Sequence, residues 1–220
     1  TDGSNWKTRL LRRNPSNGDI YFTSQRDSRV RSCLYRLSPD GTVKAVTPKE
    51  YNVDRAEVSE DCSSVKALLS NCRTPRFTWD NGRFELPAEP DSLALPQIIE
   101  LSAEDGQTMY GSIIYPKDFD PGKVYPVHIE IYGGPGTQYV VDRWRAPQQW
   151  WSENGIIHLV ADVRSSGHTG RAGTDLVYKN LTASPIRDFC RWATWLRGKA
   201  YVGQIGVEGF SFGGTNTALL

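Results

Sequence analysis

Residues 209–213, Gly-Phe-Ser-Phe-Gly, lie between the apolar Ile205, Gly206 and Val207 and the small residues Gly214, Thr215, Asn216, Thr217 and Ala218. A serine with glycines two positions to either side fits one local geometry, a sharp turn from a buried strand into a helix. Such a turn strains the serine backbone, and the flanking glycines let strand and helix approach without a side-chain clash. The serine hydroxyl is then held above the sheet. The same five letters also occur in ordinary loops, so the chemistry depends on what precedes them.

What precedes them has α/β patterning. Residues 127–132 form a short apolar strand that runs into Gly133, Gly134, Pro135 and Gly136; residues 147–154 read as a helix; residues 155–163 (GIIHLVADV) are almost continuously apolar. Runs of that kind belong to parallel strands covered on both faces. The next helix has Ser184 as a cap, Pro185 at its first position, Asp188 at the positive end of the dipole, and Ile186, Phe189, Cys190, Ala193 and Leu196 at helical spacing, with Gly198 to end it. Tyr201 to Val207 then leads into the elbow. The order strand, helix, strand, helix, strand, Ser211, helix is the context that the motif requires.

The first ninety or so residues belong to a different class. Strand signals at 19–23 (DIYFT), 34–37 (LYRL) and 42–47 (TVKAVT) surround a turn at Ser38, Pro39, Asp40 and Gly41. A second meander runs through 57–59, 65–69 and 77–79 and closes on Asp80, Asn81 and Gly82. Antiparallel sheet follows from this spacing, as a small sandwich or as the end of a β-propeller, whose blades take four strands in about 40 to 50 residues. A single blade cannot bury both faces, so preceding blades are expected. Pro87, Pro90 and Pro96 then mark an extended linker, and a hairpin opens at 98–101, turns at Glu104, Asp105 and Gly106, and returns through 109–115.

Composition narrows the function classes. A net charge of +1 gives no reason to expect nucleic acid or an acidic membrane as partner, and no apolar run approaches a membrane span. Cys33, Cys62, Cys72 and Cys190 include no CxxC and no zinc spacing, so neither metal nor cofactor is expected. Cys62 and Cys72 flank a strand and either meet across a hairpin or stay as unpaired thiols. Gly167, Gly170 and Gly173 follow GxxGxxG spacing with no Lys-Ser/Thr after them, which argues against a nucleotide loop and for a loop near the site rim, anchored by pairing of Arg164. Trp144, Trp150 and Trp151 either line an entrance or pack into the core.

Three strings in order, Tyr132-Gly133-Gly134-Pro135, Asp162-Val163-Arg164-Ser165-Ser166-Gly167 and the GFSFGG elbow, resemble the prolyl oligopeptidase family of serine peptidases, nearest to its dipeptidyl peptidase IV-like branch. The IYFTS strand, the LYR strand and the DG turn resemble that family's final propeller blade. The resemblance implies the N-terminal part of an α/β-hydrolase, βαβ with a mostly parallel sheet, at 98–220, after a linker at 86–97 and the end of a β-propeller at 1–85. It implies Ser211 as nucleophile, and the Tyr132 hydroxyl and the Phe212 backbone N–H as oxyanion donors. Acylaminoacyl peptidase-like relatives tend to carry histidine where Tyr132 stands.

In this fold the catalytic acid and histidine follow the serine. His128, His158 and His168 all precede it and are assigned structural roles, as are Asp162 and Asp188. The triad Asp and His are expected outside these residues. The chain stops nine positions after Ser211 and is expected to be a fragment of a longer polypeptide. His128 and Glu130 share one strand face and need polar partners that the sequence does not name. Lys44, Arg29 and Arg31 read as solvated strand faces. The approach from Tyr201 to Gly206 is shorter than the family's usual one, so either the turn is tightened or positioning of Ser211 suffers.

The expected activity is peptide-bond hydrolysis through an acyl-enzyme, and the resemblance implies release of amino-terminal Xaa-Pro or Xaa-Ala dipeptides. The expected partners are a peptide substrate and the remainder of the chain itself, with a homodimer through the hydrolase domain left open. The compartment is unknown, extracytoplasmic being favoured over cytoplasmic. An oligopeptidase or acylaminoacyl-peptidase-like enzyme is one alternative. An inactive hydrolase-like propeller protein that acts by protein binding is the other.

Overall fold

The computed structural model describes residues 7–90, 92–145 and 148–220. They form two compact units, Thr1–Asp91 with Val141–Trp144, and Ser92–Val140 with Arg145–Leu220. Of the expected segments, Asp91 in the linker and Pro147 at the start of a helix lie outside the described residues.

The first unit is antiparallel sheet throughout. Strands β1 (Thr8–Arg13), β2 (Ile20–Ser24), β3 (Cys33–Leu37) and β4 (Val43–Ala45) make a four-stranded sheet in chain order, and β5 (Asn52–Val58), β6 (Val65–Ser70) and β7 (Phe77–Asp80) a three-stranded one. Tyr21, Leu34, Val53, Leu69, Phe77 and Trp79 share one buried cluster between the sheets. The strand β1, TRLLRR, was hidden by its arginines. Val141–Trp144 packs here through buried Asp142, which accepts from Arg31 Nη1 (3.0 Å) and the Cys72 N–H (2.8 Å). Arg31 is therefore a paired residue and not a freely solvated one. All four cysteines are free, and buried Cys72 is pushed up to about 12, first by desolvation and then by Asp142.

The second unit carries a mixed sheet in the order β12-β10-β11-β9-β8, built from β8 (Gln97–Ser102), β9 (Thr108–Ile114), β10 (Tyr125–Ile131), β11 (Ile157–Ala161) and β12 (Val202–Gly209). The three strands nearest the elbow, β12, β10 and β11, are parallel, and the β8–β9 hairpin adds antiparallel to β11. The sheet is thus less parallel than its apolar runs imply. Helices α1 (Gln149–Glu153), α2 (Arg171–Asp175), α3 (Ala183–Arg197) and α4 (Phe212–Leu219) connect or follow these strands.

Helix α3 starts one residue before its expected cap. Thr182 is the N-cap residue, Asn180 Oδ1 accepts the Ala183 N–H (3.2 Å), and Ser184 and Pro185 lie inside the first turn. Its buried stripe is Pro185, Phe189, Trp192 and Leu196, while Cys190 is exposed. Trp192 packs so closely on the sheet that a Cβ on Gly111 would stand 2.9 Å from its ring, and its indole N–H donates to the Asp162 carbonyl (2.9 Å). Asp188 does not act on the helix dipole. It takes the buried Arg164 guanidinium (2.7 Å), which also reaches Asp105 (2.7 Å), so one arginine joins the loop after β11, α3 and the β8–β9 turn. Gly173 serves packing: a Cβ there would stand 2.3 Å from the Arg164 carbonyl oxygen.

The polar partners of His128 lie on neighbouring strands. His128 sits beside His158 and Glu130 beside Glu208, because the parallel register matches them. The two Nδ1 atoms share one hydrogen at 2.9 Å, His128 Nε2 meets Glu208 Oε2 at 3.0 Å, and His158 Nε2 stands 3.6 Å from Glu130 Oε2. Trp151 on α1 stacks over both imidazoles, at 4.0 and 5.1 Å between ring centres. Burial, reinforced by His128 and Arg145, pushes His158 down to about 3 from its ordinary 6.5.

Between pH 6.5 and 3 the unfolded chain therefore binds a proton at this ring that the native ring refuses. Stability is expected to fall as pH drops through that window, at up to about 1.4 kcal/mol per pH unit. His158→Phe keeps an aromatic ring beneath Trp151 and removes the titration, so its denaturation midpoint should depend less steeply on pH between 7 and 5. Equal slopes in both proteins would place the acid sensitivity elsewhere.

Candidate active site

The elbow depends on missing side chains. A Cβ on Gly209 would stand 2.4 Å from the Gly213 carbonyl carbon, and one on Gly213 would stand 2.3 Å from the Ile131 carbonyl oxygen and 3.1 Å from Tyr132 Cα. Strand β12, helix α4 and the end of β10 thus meet backbone against backbone, which only glycine at both positions allows. Between them Ser211 adopts φ 55° and ψ −118°. A non-glycine residue in a sparsely populated region of this kind costs about 1–3 kcal/mol and persists where the surroundings over-determine it. Its side chain is exposed, as is the ring of Phe210 before it.

The short approach does not spoil this turn. Tyr125 pairs with Val202 and Val127 with Ile205, so β12 carries one extra residue as a bulge, and regular pairing resumes through to Ile131 and Gly209. Tyr132 follows Ile131 directly. The candidate nucleophile and the candidate hydroxyl donor therefore leave the carboxyl ends of neighbouring parallel strands.

The chain beyond β10 leads to α1 on the imidazole face, whereas α4 lies on the face of Ile129 and Ile131. Adjacent strands whose connections depart to opposite faces form a switch point, the place where open α/β sheets bind ligands. The Phe212 N–H belongs to the first turn of α4, where backbone donors have no intrahelical acceptor. The Phe212 ring lies 6.2 Å from that of Tyr132.

Tyr132 is held from several sides. Its ring stacks on Tyr139 at 5.0 Å and 14°. Its carbonyl accepts from Asn216 Nδ2 on α4 (2.8 Å). Gly133 turns the chain at φ 72°, and Ser165 Oγ donates to the Gly133 carbonyl (3.2 Å). Tyr139 is fixed in turn by Asp162, a fully buried carboxylate that accepts the backbone N–H groups of Tyr139 (2.9 Å) and Val140 (2.8 Å).

Asp162 also accepts from His168 Nε2 (2.8 Å), and this pair has the composition of a triad's acid and base. It is not available for that work, because Gln138 Nε2 donates to the other ring nitrogen at 2.7 Å and both residues are buried. His128 and His158 are engaged with each other. The three histidines are structural in their contacts, as their position before Ser211 implies. Of the tryptophans, Trp151 covers the imidazoles, Trp150 is exposed, and the Trp144 backbone N–H donates to Ser70 Oγ (3.1 Å).

Sequence reasoning missed Tyr139 and Asn216 as supports of Tyr132, and it gave Asp162 a structural role without naming its partners. Asp162 and Asn216 act across 22 and 84 positions of chain, and Tyr139 reaches Tyr132 only because the intervening glycine turn folds back, so no local pattern marks any of them as a partner.

A model of the prolyl oligopeptidase family matches residues 143–220. The chain is 36% identical over 225 residues to a probable dipeptidyl-aminopeptidase B of Ajellomyces dermatitidis, which covers 91% of this chain and 24% of that relative. It is 26% identical over 224 residues to human dipeptidyl peptidase 8, covering 89% and 25%. In fold it is similar to the crystal structure of Porphyromonas gingivalis dipeptidyl peptidase 4, with a TM-score of 0.86 at 22% identity over 99% of this chain and 33% of that one. The chain spans about a quarter of the length of the curated relatives it matches. With antiparallel sheets followed by a mixed sheet that ends in a glycine-flanked serine turn, the chain carries the prolyl oligopeptidase family pattern over residues 143–220 and is similar along nine-tenths of its length to dipeptidyl peptidases of that family.

Proposed function

We propose that the full-length protein is a serine peptidase in which Ser211 forms the acyl-enzyme. The observation that carries this reading is the backbone of Ser211, held at φ 55° and ψ −118° one residue past the level of Tyr132 on the neighbouring strand. Ser211 Oγ attacks the peptide carbonyl carbon while a histidine carried outside these residues takes its proton. The carbonyl oxygen becomes an oxyanion, stabilised by the Tyr132 hydroxyl and the Phe212 N–H. The imidazolium then protonates the leaving amine, and water, activated by the same histidine, hydrolyses the ester.

Residues 1–85 are, on this reading, the end of a β-propeller, 86–97 a linker, and 98–220 the first part of an α/β-hydrolase. The names of the relatives favour removal of dipeptides from an amino terminus; the preference for proline or alanine as second residue rests on the family resemblance. Tyr132, in the place where acylaminoacyl peptidase-like relatives tend to carry histidine, points the same way.

In the full-length protein a fluorophosphonate should label Ser211, and Ser211→Ala should abolish labelling; undiminished labelling of that variant would remove Ser211 from the mechanism. Tyr132→Phe should lower turnover about 100-fold with the thermal midpoint kept. Near-parental turnover would return Tyr132 to packing alone. An amino-terminal block on a short Xaa-Pro substrate should stop hydrolysis, whereas continued cleavage would identify an oligopeptidase.

A further inference from the structure

Asn216 is fully buried on α4, five residues after Ser211. Its Nδ2 donates to the Tyr132 carbonyl at 2.8 Å, and a Cβ on Gly133 would stand 2.9 Å from that nitrogen, so the amide lies against the backbone where β10 ends. The other half of the amide is unprovided for: Oδ1 is buried with no hydrogen-bond partner. A buried acceptor left unpaired costs at least as much as one neutral hydrogen bond returns. Asn216 is thus a poor choice for stability alone, and what it supplies is a donor aimed at one carbonyl.

That carbonyl decides where the Tyr132 side chain points. Gly133 reverses the chain immediately after it at φ 72°. The peptide plane between Tyr132 and Gly133 therefore sets the backbone from which the phenol projects, while Tyr139 bears on the ring. The same helix that carries Asn216 carries the Phe212 N–H in its first turn and is pressed on Tyr132 Cα through Gly213. An amide fixed to α4 and bonded to Tyr132 ties the two oxyanion donors to one rigid body.

We infer that Asn216 is a positioning residue that holds the Tyr132 hydroxyl in register with the Phe212 N–H, an inference that rests on the oxyanion reading of Tyr132 above. Misplacing a catalytic group by about 1 Å costs up to about 100-fold in rate, so loss of this tie acts on turnover more than on substrate binding.

The test is a double-mutant cycle in the full-length protein with a chromogenic Xaa-Pro substrate. Asn216→Leu removes the donor and fills the site with an apolar side chain. It should lower kcat at least about tenfold with KM within about twofold. In a Tyr132→Phe background the same substitution should cost less than about threefold, because the group it positions is gone. An equal loss in both backgrounds, or no loss in the parent, overturns the inference and leaves the nucleophile assignment standing.

If Tyr132→Phe is itself silent, the oxyanion reading fails and the inference fails with it. Should Asn216→Leu not fold, the isosteric Asn216→Asp carries the same cycle with a further signature. A protonated carboxyl can donate to the Tyr132 carbonyl and an ionised one cannot, so the ratio of Asn216→Asp to parental turnover should rise as pH is lowered. A ratio flat with pH overturns the inference in that case.

Discussion

The contact on which this structure turns is a backbone crossing. Gly213 lies against the Ile131 carbonyl and Tyr132 Cα, and Gly209 against Gly213, at separations that exclude any side chain. Every element near the candidate site takes its place from that crossing. Helix α4 can start only where Ser211 reverses, Ser211 can reverse only because the helix has no room to retreat, and β10 must end where α4 touches it. Beneath the crossing the sheet is buried against α3, where Ile129, Ile131, Leu159, Phe189 and Trp192 form one cluster.

Around the crossing the polar groups divide into two sets. Arg164, Asp188 and Asp105 form one, a buried cation with two carboxylates that fixes the loop after β11 to α3 and to a distant turn. Arg164 holds its proton more tightly than an ordinary guanidinium, first through its hydrogen bonds to Asp188. Asp162 heads the other, with two backbone N–H groups and one imidazole on a single carboxylate. Neither set contains Ser211, yet both shape the loops that flank it. Residue types suited to catalysis are here spent on holding loops, and hydrogen-bond geometry separates the two uses where residue type alone does not.

Much of this was legible in the sequence for physical reasons. Alternation and turn chemistry mark β2, β3, β6 and β7, a continuous apolar run marks β11, and two glycines around a serine mark the elbow. Position before Ser211 argues against a catalytic role for His128, His158 and His168, and each is hydrogen-bonded to other side chains. The errors also have causes. Cys190 and Ile186 fit helical spacing almost as well as Trp192, and only the sheet beneath α3 selects the stripe that carries Trp192. Val141–Trp144 joins the first unit through Asp142, a contact that spans 111 positions to Arg31. Asn216 passes for a small residue in a helix start until its amide is seen on Tyr132.

The row of His128, His158, Glu130 and Glu208 has a consequence for assembly of the sheet. Side chains alternate between faces, so sliding β10 by one residue against β11 or β12 would drive an imidazole and a carboxylate into the Ile129 and Ile131 side and turn isoleucines outward. Sliding by two would keep the faces but separate the paired rings and carboxylates. Apolar strands of similar composition discriminate poorly between such offsets, whereas four hydrogen-bonding groups arranged across three strands accept only one. The row works as a vernier, reading out alignment at a resolution that hydrophobic burial lacks, and the alignment it selects brings Tyr132 level with the residue before Ser211.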